Sequence, residues 1–321
     1  MSDALEGRRT AVVGFGNQGE AQALNLRDRG AAPLVGVRAG GPSEARARAA
    51  GFETAAPAEA VRRADVIAVL VPDEAVPALW PALAAAAAGS SRTFVFAHGF
   101  ALLYGALEPP AGCDVALVAP TAPGRVLRAT AVAGGRLPAY VAVHRDASGG
   151  ALDVAEAWAR RIGCGPLWRT TVREETEVDL FGEQVVLCGG LNALVREAFE
   201  TLVARGYTPE IAYLECVHQV RYLAELLHER GPAGLRRAIS GTALYGDLTR
   251  GPRVVGPASR AEMERILDEV RSGAFAREWG AEAAAGRAWL DAQVARAAAH
   301  PIEEARRRAL GEAAPGAPGI V

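Results

Sequence analysis

The chain has 321 residues, enough for two ordinary domains with cores of their own. Half of it is apolar, yet no run reads as a membrane span of about 20 apolar residues, and no signal peptide is visible. A net charge of −2 argues against nucleic acid as an electrostatic partner.

Residues 9–14 form a β-prone run that ends in glycine, and the chain continues Gly14-Phe15-Gly16-Asn17-Gln18-Gly19. An amphipathic stretch over 20–29 is stopped by Gly30, and residues 33–38 read as a second strand. The glycines therefore sit between a strand and a helix inside one βαβ unit, the context that the dinucleotide fingerprint requires. Gly14 permits the tight turn, Gly16 lets a pyrophosphate approach the backbone, and Gly19 lets the helix lie close to the sheet. Asn17 and Gln18 open the helix, whose N-terminus faces the phosphates.

An NAD site usually ends its second strand on an acid that holds the ribose. Here Arg38 stands at that end, with Ser43 following and no acid before Glu44. Arg38 can pair with a 2′-phosphate and Ser43 can add a hydrogen bond, so the pattern predicts NADPH.

Further strands are predicted over 65–71, 92–97, 115–118 and 139–143. Near-continuous apolar strands that alternate with helices predict a doubly wound α/β domain with a parallel sheet. His98 closes the strand over 92–97, and the C-terminal ends of such strands are where ligands sit. A histidine there can act as acid, base or hydrogen-bond donor.

From about residue 169 the strand pattern stops. Helical periods run over 172–205, 209–229, 233–244, 259–272 and 281–299, with Gly206, Gly231, Gly246 and Gly251 at the breaks. The expected organisation is a Rossmann-type domain over 1–168, an all-α domain over 169–310 and a loose tail over 311–321. Cys113, Cys164, Cys188 and Cys216 form no CxxC pair and suit free thiols in a reducing cytoplasm.

Two helices carry paired oxygen donors. Asp179 and Glu183 are four apart and share a helix face, as do Glu215 and Gln219. Spacing alone favours a solvated acidic face for the first pair. Two such helices facing each other could instead cage a hard cation such as Mg2+. His218 is three on from Glu215 and reads as a residue behind that cage or in the core.

Several islands in order resemble the ketol-acid reductoisomerase family, of the short form, over nearly the whole chain. They are residues 14–19 with Ala23-Leu24-Asn25-Leu26-Arg27-Asp28, Leu70-Val71-Pro72-Asp73-Glu74, Phe96-Ala97-His98-Gly99-Phe100, residues 174–190, Glu215-Cys216-Val217-His218 and residues 245–253. The resemblance implies an NADPH-binding domain and a helical domain that interlocks with its copy in a homodimer. It implies a two-Mg2+ site shared between subunits, and an alkyl shift on a 2-acetyl-2-hydroxy acid followed by hydride reduction. It places Pro72, Asp73 and Gly124 beside the cofactor and His98 beside the nicotinamide. It also assigns Asp179 to both metals, Glu183 to one, Glu215 of the partner to the second, and Ser240 to the substrate carboxylate.

The departures cluster at the same site. The family's second glutamate on the Glu215 helix is Gln219, its PKGPG lysine is Thr121, and its Asn and Glu beyond the substrate serine are Gly241 and Leu244. No lysine occurs anywhere to replace the missing cation. A neutral amide attracts Mg2+ less than a carboxylate does. The alkyl shift needs strong Lewis-acid polarisation, and hydride transfer needs less. The sequence thus predicts an NADPH-dependent reductase of a small 2-oxo acid or imine, with the isomerase step weakened or lost and Mg2+ held weakly or not at all. The alternatives are a working Mg2+-dependent ketol-acid reductoisomerase of branched-chain amino-acid biosynthesis, and a non-catalytic protein that binds NADPH.

Overall fold

The computed structural model describes residues 3–105 and 107–312. The expected tail therefore lies, beyond Gly311 and Glu312, outside the described residues. By internal contacts the chain forms two compact units, residues 1–178 and 179–321. The division falls inside a helix that is unbroken across it.

The first unit alternates strand and helix: β1 (Thr10–Val13), α1 (Asn17–Asp28), β2 (Leu34–Gly36), α2 (Pro42–Ala49), β3 (Thr54–Ala55), α3 (Pro57–Arg63), β4 (Val66–Val69), α4 (Val76–Ala87), β5 (Thr93–Phe96), α5 (Phe100–Tyr104), β6 (Asp114–Pro120), α6 (Gly124–Val132), β7 (Leu137–Arg145), α7 (Ala151–Arg161) and β8 (Cys164–Arg169). The sheet order is β3-β2-β1-β4-β5-β6-β7-β8. Strands β1 to β6 pair in parallel, so the order reverses between β1 and β4 and opens a crevice at their C-terminal ends.

Alternate residues on each strand feed opposite faces. Val12, Ala68 and Val95 enter a core with Leu26 of α1 and Trp158 of α7. Their neighbours Val13, Ile67 and Phe94 enter a second core with Trp80 and Leu83 of α4. Every residue of β1, β4 and β5 is buried, which is why these strands read as continuous apolar runs.

Two strands depart from the predicted parallel sheet. β7 runs antiparallel to β6, and β8, which the pattern does not mark, pairs in parallel with β7. The apolar run over 139–143 does not encode direction. Tyr140 is exposed there, so this side of the sheet is covered less completely than the centre.

The second helical region begins with α8 (Val172–Gly182), α9 (Gly189–Ala204), α10 (Pro209–Tyr213), α11 (Val220–Ala238) and α12 (Gly241–Val254). It continues through α13 (Pro257–Arg271), α14 (Ala274–Ala284), α15 (Ala288–Ala298) and α16 (Pro301–Leu310). Phe199, Ala212, Tyr213 and Ala305 make a small core where α9, α10 and α16 meet. Two predicted breaks hold, since Gly206 follows α9 and Gly231, at φ 65°, kinks α11, and two shift. Gly246 and Gly251 lie inside α12, because Ser240 starts that helix by accepting the Ala243 N–H at 3.3 Å. The expected helix over 281–299 is interrupted at Gly286 and Arg287, both in the left-handed region.

Single π-helical turns join α8 to α9 and α10 to α11, at Glu183–Leu187 and Leu214–His218. Cys188 N–H bonds the Glu183 carbonyl five residues back, at 2.9 Å. A Cβ at Gly189 would strike the Gln184 carbonyl and one at Gly190 the Val185 carbonyl, so this glycine pair admits the wider turn. The stretch Val172–Ala204 contains a window of mean hydropathy 1.3, long and apolar enough by composition to cross a membrane, where the sequence pattern predicts no span. Glu183 and Gln184 punctuate the stretch in sequence, and only 6% of that window is buried.

Phe94 is fully buried with its ring edge-on to Trp80, centroids 5.0 Å apart. Phe94→Ala is expected to lower the unfolding free energy of the chain by about 3–5 kcal/mol, read from the shift of its denaturant midpoint.

Candidate functional site

Three chain segments meet at the crevice with no room for side chains. Gly14 adopts φ 98° and donates its N–H to the Gly36 carbonyl at 2.9 Å. A Cβ on Gly14 would strike the Leu70 carbonyl at the end of β4, and one on Gly19 would strike the Gly14 carbonyl. Gly16 faces open space, the side from which a ligand can reach the backbone. Gly16 also caps α1 without a side-chain hydrogen bond, which leaves first-turn N–H groups available to an anion.

The loop before α6 closes over this turn. Gln18 Nε2 donates to the Ala122 carbonyl at 3.1 Å, and the Arg125 N–H donates to Asn17 Oδ1 at 3.2 Å. Gly124 packs so tightly on the Asn17 carbonyl that any Cβ would overlap it. Asn17, Gln18 and Gly124 are thus brought together, while Pro72 and Asp73 follow β4, whose end touches Gly14. Thr121 is spent locally: its hydroxyl donates to the Pro138 carbonyl at 2.9 Å.

Arg38 is exposed in the loop between β2 and α2, and Ser43 lies in the first turn of α2. Glu44, the first acid after β2, is committed to its own loop. Its carboxylate accepts the Gly40 N–H at 2.6 Å and hydrogen bonds from Arg48 and Thr54. The Gly40 N–H first, and the Arg48 guanidinium with it, hold the Glu44 carboxyl below its ordinary value.

His98 follows β5, and the first turns of α8 pack beside it. Glu175 of α8 is the residue the sequence pattern does not single out. Its side chain is 2% exposed, with Oε1 3.6 Å from His98 Nδ1, and Oε2 accepts the Gly99 N–H at 3.1 Å. Gly99 is required by this packing, since a Cβ would overlap Thr176 Oγ1. The signal that marks Glu175 is the i,i+4 spacing of Asp179 and Glu183 run one turn further back. The His98 ring stacks on Phe100 at 6.3 Å, and Tyr104 meets Phe100 edge-on at 5.2 Å. Burial, reinforced by the Glu177 carboxylate, raises the Tyr104 phenol pKa above its ordinary value.

Asp179 lies one turn beyond Glu175 on the same unbroken helix. His98, Glu175 and Asp179 each present a ligand atom within 4.8 Å of the other two. Two carboxylates suit a hard cation, and the imidazole suits it less. The group does not include Glu183, which the resemblance gives to one metal with Asp179, or Glu215, which it gives to the second metal from the partner subunit. Both are exposed, and each stands in a π-helical turn. Gln219 Nε2 donates to Glu215 Oε2 at 2.6 Å, so the amide occupies a carboxylate oxygen a cation would use. His218 contacts Arg221 and Tyr222. Ser240 is exposed, with its hydroxyl capping α12.

Two family models divide the chain. The acetohydroxy acid isomeroreductase NADPH-binding domain matches residues 4–167, and the ketol-acid reductoisomerase C-terminal domain matches residues 172–311. An NADH-preferring ketol-acid reductoisomerase from an uncultured archean is 35% identical, with a TM-score of 0.93 over 98% of this chain and 97% of that one. A semialdehyde dehydrogenase NAD-binding protein from Cupriavidus necator, solved with calcium and NAD, is 20% identical over 83% of this chain and 99% of its own, at a TM-score of 0.64. A 1-pyrroline-5-carboxylate reductase from Streptococcus pyogenes is 13% identical over 83% of this chain and 98% of its own, at a TM-score of 0.58. These last two share the fold alone. With both family models matched in order and the dinucleotide loop built as they require, the chain belongs to the ketol-acid reductoisomerase family and is an NAD(P)-dependent oxidoreductase.

Proposed function

We propose that this family member is an NADPH-dependent reductase of a small 2-oxo acid or imine in which the isomerase step is weakened or lost. The observation that carries it is the Gln219 amide bonded to Glu215. A second carboxylate at 219 would add charge for a cation, and the amide instead engages the charge already there. Thr121, bonded to Pro138, supplies no cation where the family has lysine, and Gly241 supplies no polar side chain beside Ser240. The donor set fits Mg2+ only in part: Glu175 and Asp179 can hold it, with Glu183 as a further oxygen donor. When bound there, Mg2+ would supply Lewis acidity.

The bound nicotinamide supplies the hydride. The residues of the chain orient the acceptor and move its proton, with His98 as the candidate acid or base and Glu175 aligning its Nδ1 side. Glu183 is a second candidate to position the acceptor.

NADPH is favoured over NADH because Arg38 is exposed at the end of β2 while Glu44 is engaged within its own loop. The reductoisomerase of similar structure prefers NADH, so Arg38 is where the two preferences are to be tested. The helical region leaves Leu187, Leu191, Leu194 and Leu227 exposed, and apolar surface of this kind supports a homodimer that completes the site. Four free thiols suit the cytoplasm.

A second reading, a working Mg2+-dependent reductoisomerase, is favoured by the group of His98, Glu175 and Asp179, which retains a cation-binding carboxylate pair. Assay with 2-acetolactate, NADPH and Mg2+, beside the corresponding 2-oxo acid, separates the two. Reduction of the 2-oxo acid that survives EDTA, with acetolactate turnover at least about 100-fold lower, is expected if cation polarisation is lost. Equal turnover on both substrates would sink the proposal, and NADPH binding without turnover on any keto acid or imine would favour a non-catalytic protein. Arg38→Glu is expected to raise KM for NADPH about 10- to 100-fold, the worth of a hydrogen bond to a charged group, with KM for NADH changed little. Glu175→Gln keeps an acceptor for Gly99 but removes the charge beside His98. It should lower kcat by about 100-fold with little change in the KM for cofactor, as loss of an acid–base partner does.

A further inference from the structure

A polar series runs under the cofactor loop. Gln18, Gln22 and Asn25 share one side of α1, and Gln22 and Asn25 are almost wholly buried. Trp158 of α7, fully buried, donates its indole N–H to Gln22 Oε1 at 3.0 Å. Gln22 Nε2 donates to Gln18 Oε1 at 3.2 Å. Gln18 Nε2 donates to the Ala122 carbonyl at 3.1 Å.

The direction of this series is set at one end. An indole N–H can only donate, so Gln22 must turn its oxygen to Trp158 and its NH2 to Gln18. Gln18 must then turn its oxygen to Gln22, which leaves its NH2 for Ala122. The other end is a backbone carbonyl, which can only accept, so the two ends agree. Ala122 belongs to the loop over 121–124 that closes on the first turn of α1, where Gly124 and Arg125 also meet Asn17. Asn25 is anchored separately, donating to the Ile162 carbonyl and accepting from Arg128.

We infer that Trp158 and Gln22 are positioning residues for the nicotinamide dinucleotide. Through Gln18 they hold the loop over 121–124 against the first turn of α1, in the arrangement that the bound pyrophosphate needs. Their effect passes through one defined series of donors. The inference rests on dinucleotide binding at residues 14–19.

The test is a double-mutant cycle read as the Kd for NADPH, with NADH in parallel, by fluorescence titration of the full-length protein. Trp158→Phe keeps an aromatic ring and removes the donor. Gln18→Glu keeps an acceptor for Gln22 and cannot donate to Ala122. Each single change is expected to raise Kd about 3- to 10-fold, the worth of one hydrogen bond, with kcat at saturating NADPH within about twofold of wild type for Trp158→Phe. The double variant is expected to bind no more weakly than the weaker single one, because both break the same series. Independent structural damage would instead give multiplied effects, and that outcome, or unchanged Kd values in soluble variants, overturns the inference. If Trp158→Phe does not fold, an unchanged Kd in Gln18→Glu overturns it alone. Wild-type protein that binds neither dinucleotide overturns the cofactor site itself.

Discussion

Three backbones stack closely at the crevice, and the cofactor site is built on that contact. Gly19 lies on the Gly14 carbonyl, and Gly14 lies on the end of β4. No side chain fits at either place. Only with both glycines can α1 start this close to β1 and present its uncapped N–H groups beside the point where the strand order reverses. Gly124 extends the same logic, bringing α6 down onto Asn17. The cofactor site is therefore a property of backbone approach, to which side chains such as Gln18 add alignment.

The reacting end of the site is organised differently, by a buried carboxylate. Glu175 is taken from water and compensated by the Gly99 N–H and by His98. Such a group is costly to bury alone and holds its partners in place once paired. It ties the end of β5 to α8 and so aligns His98 with the helix that carries Asp179. Gly99 again makes the approach possible, because Thr176 occupies the space of a side chain.

Further along the chain the two π-helical turns fall on Glu183 and Glu215. A π turn adds a residue and rotates the helix beyond it, yet Glu215 and Gln219, four apart across one such turn, still meet. Asp179 keeps company with Glu175 and His98.

Local pattern was enough to define the dinucleotide loop, the doubly wound domain and the change to helices near residue 169. These arise from short-range rules: glycine where backbones touch, apolar runs where a strand is buried on both faces, and a 3.6-residue period where a helix hides one side. His98 was legible for the same reason, as the residue that ends a buried strand. The direction of β7 and the presence of β8 were not legible, because an apolar run does not say which way its strand points. Ser240 as the start of α12 was hidden because the helical period over 233–244 runs through it. That Gln219 turns its amide on Glu215, four residues back on the same face, was a choice of rotamer, and that Glu175 faces His98 came from tertiary packing alone. So did the reach of Trp158 to the cofactor loop through two glutamines. Those contacts join residues far apart in the chain or choose among rotamers, and neither is recorded in local pattern; they exist once the cores on the two faces of the sheet have brought the helices into place.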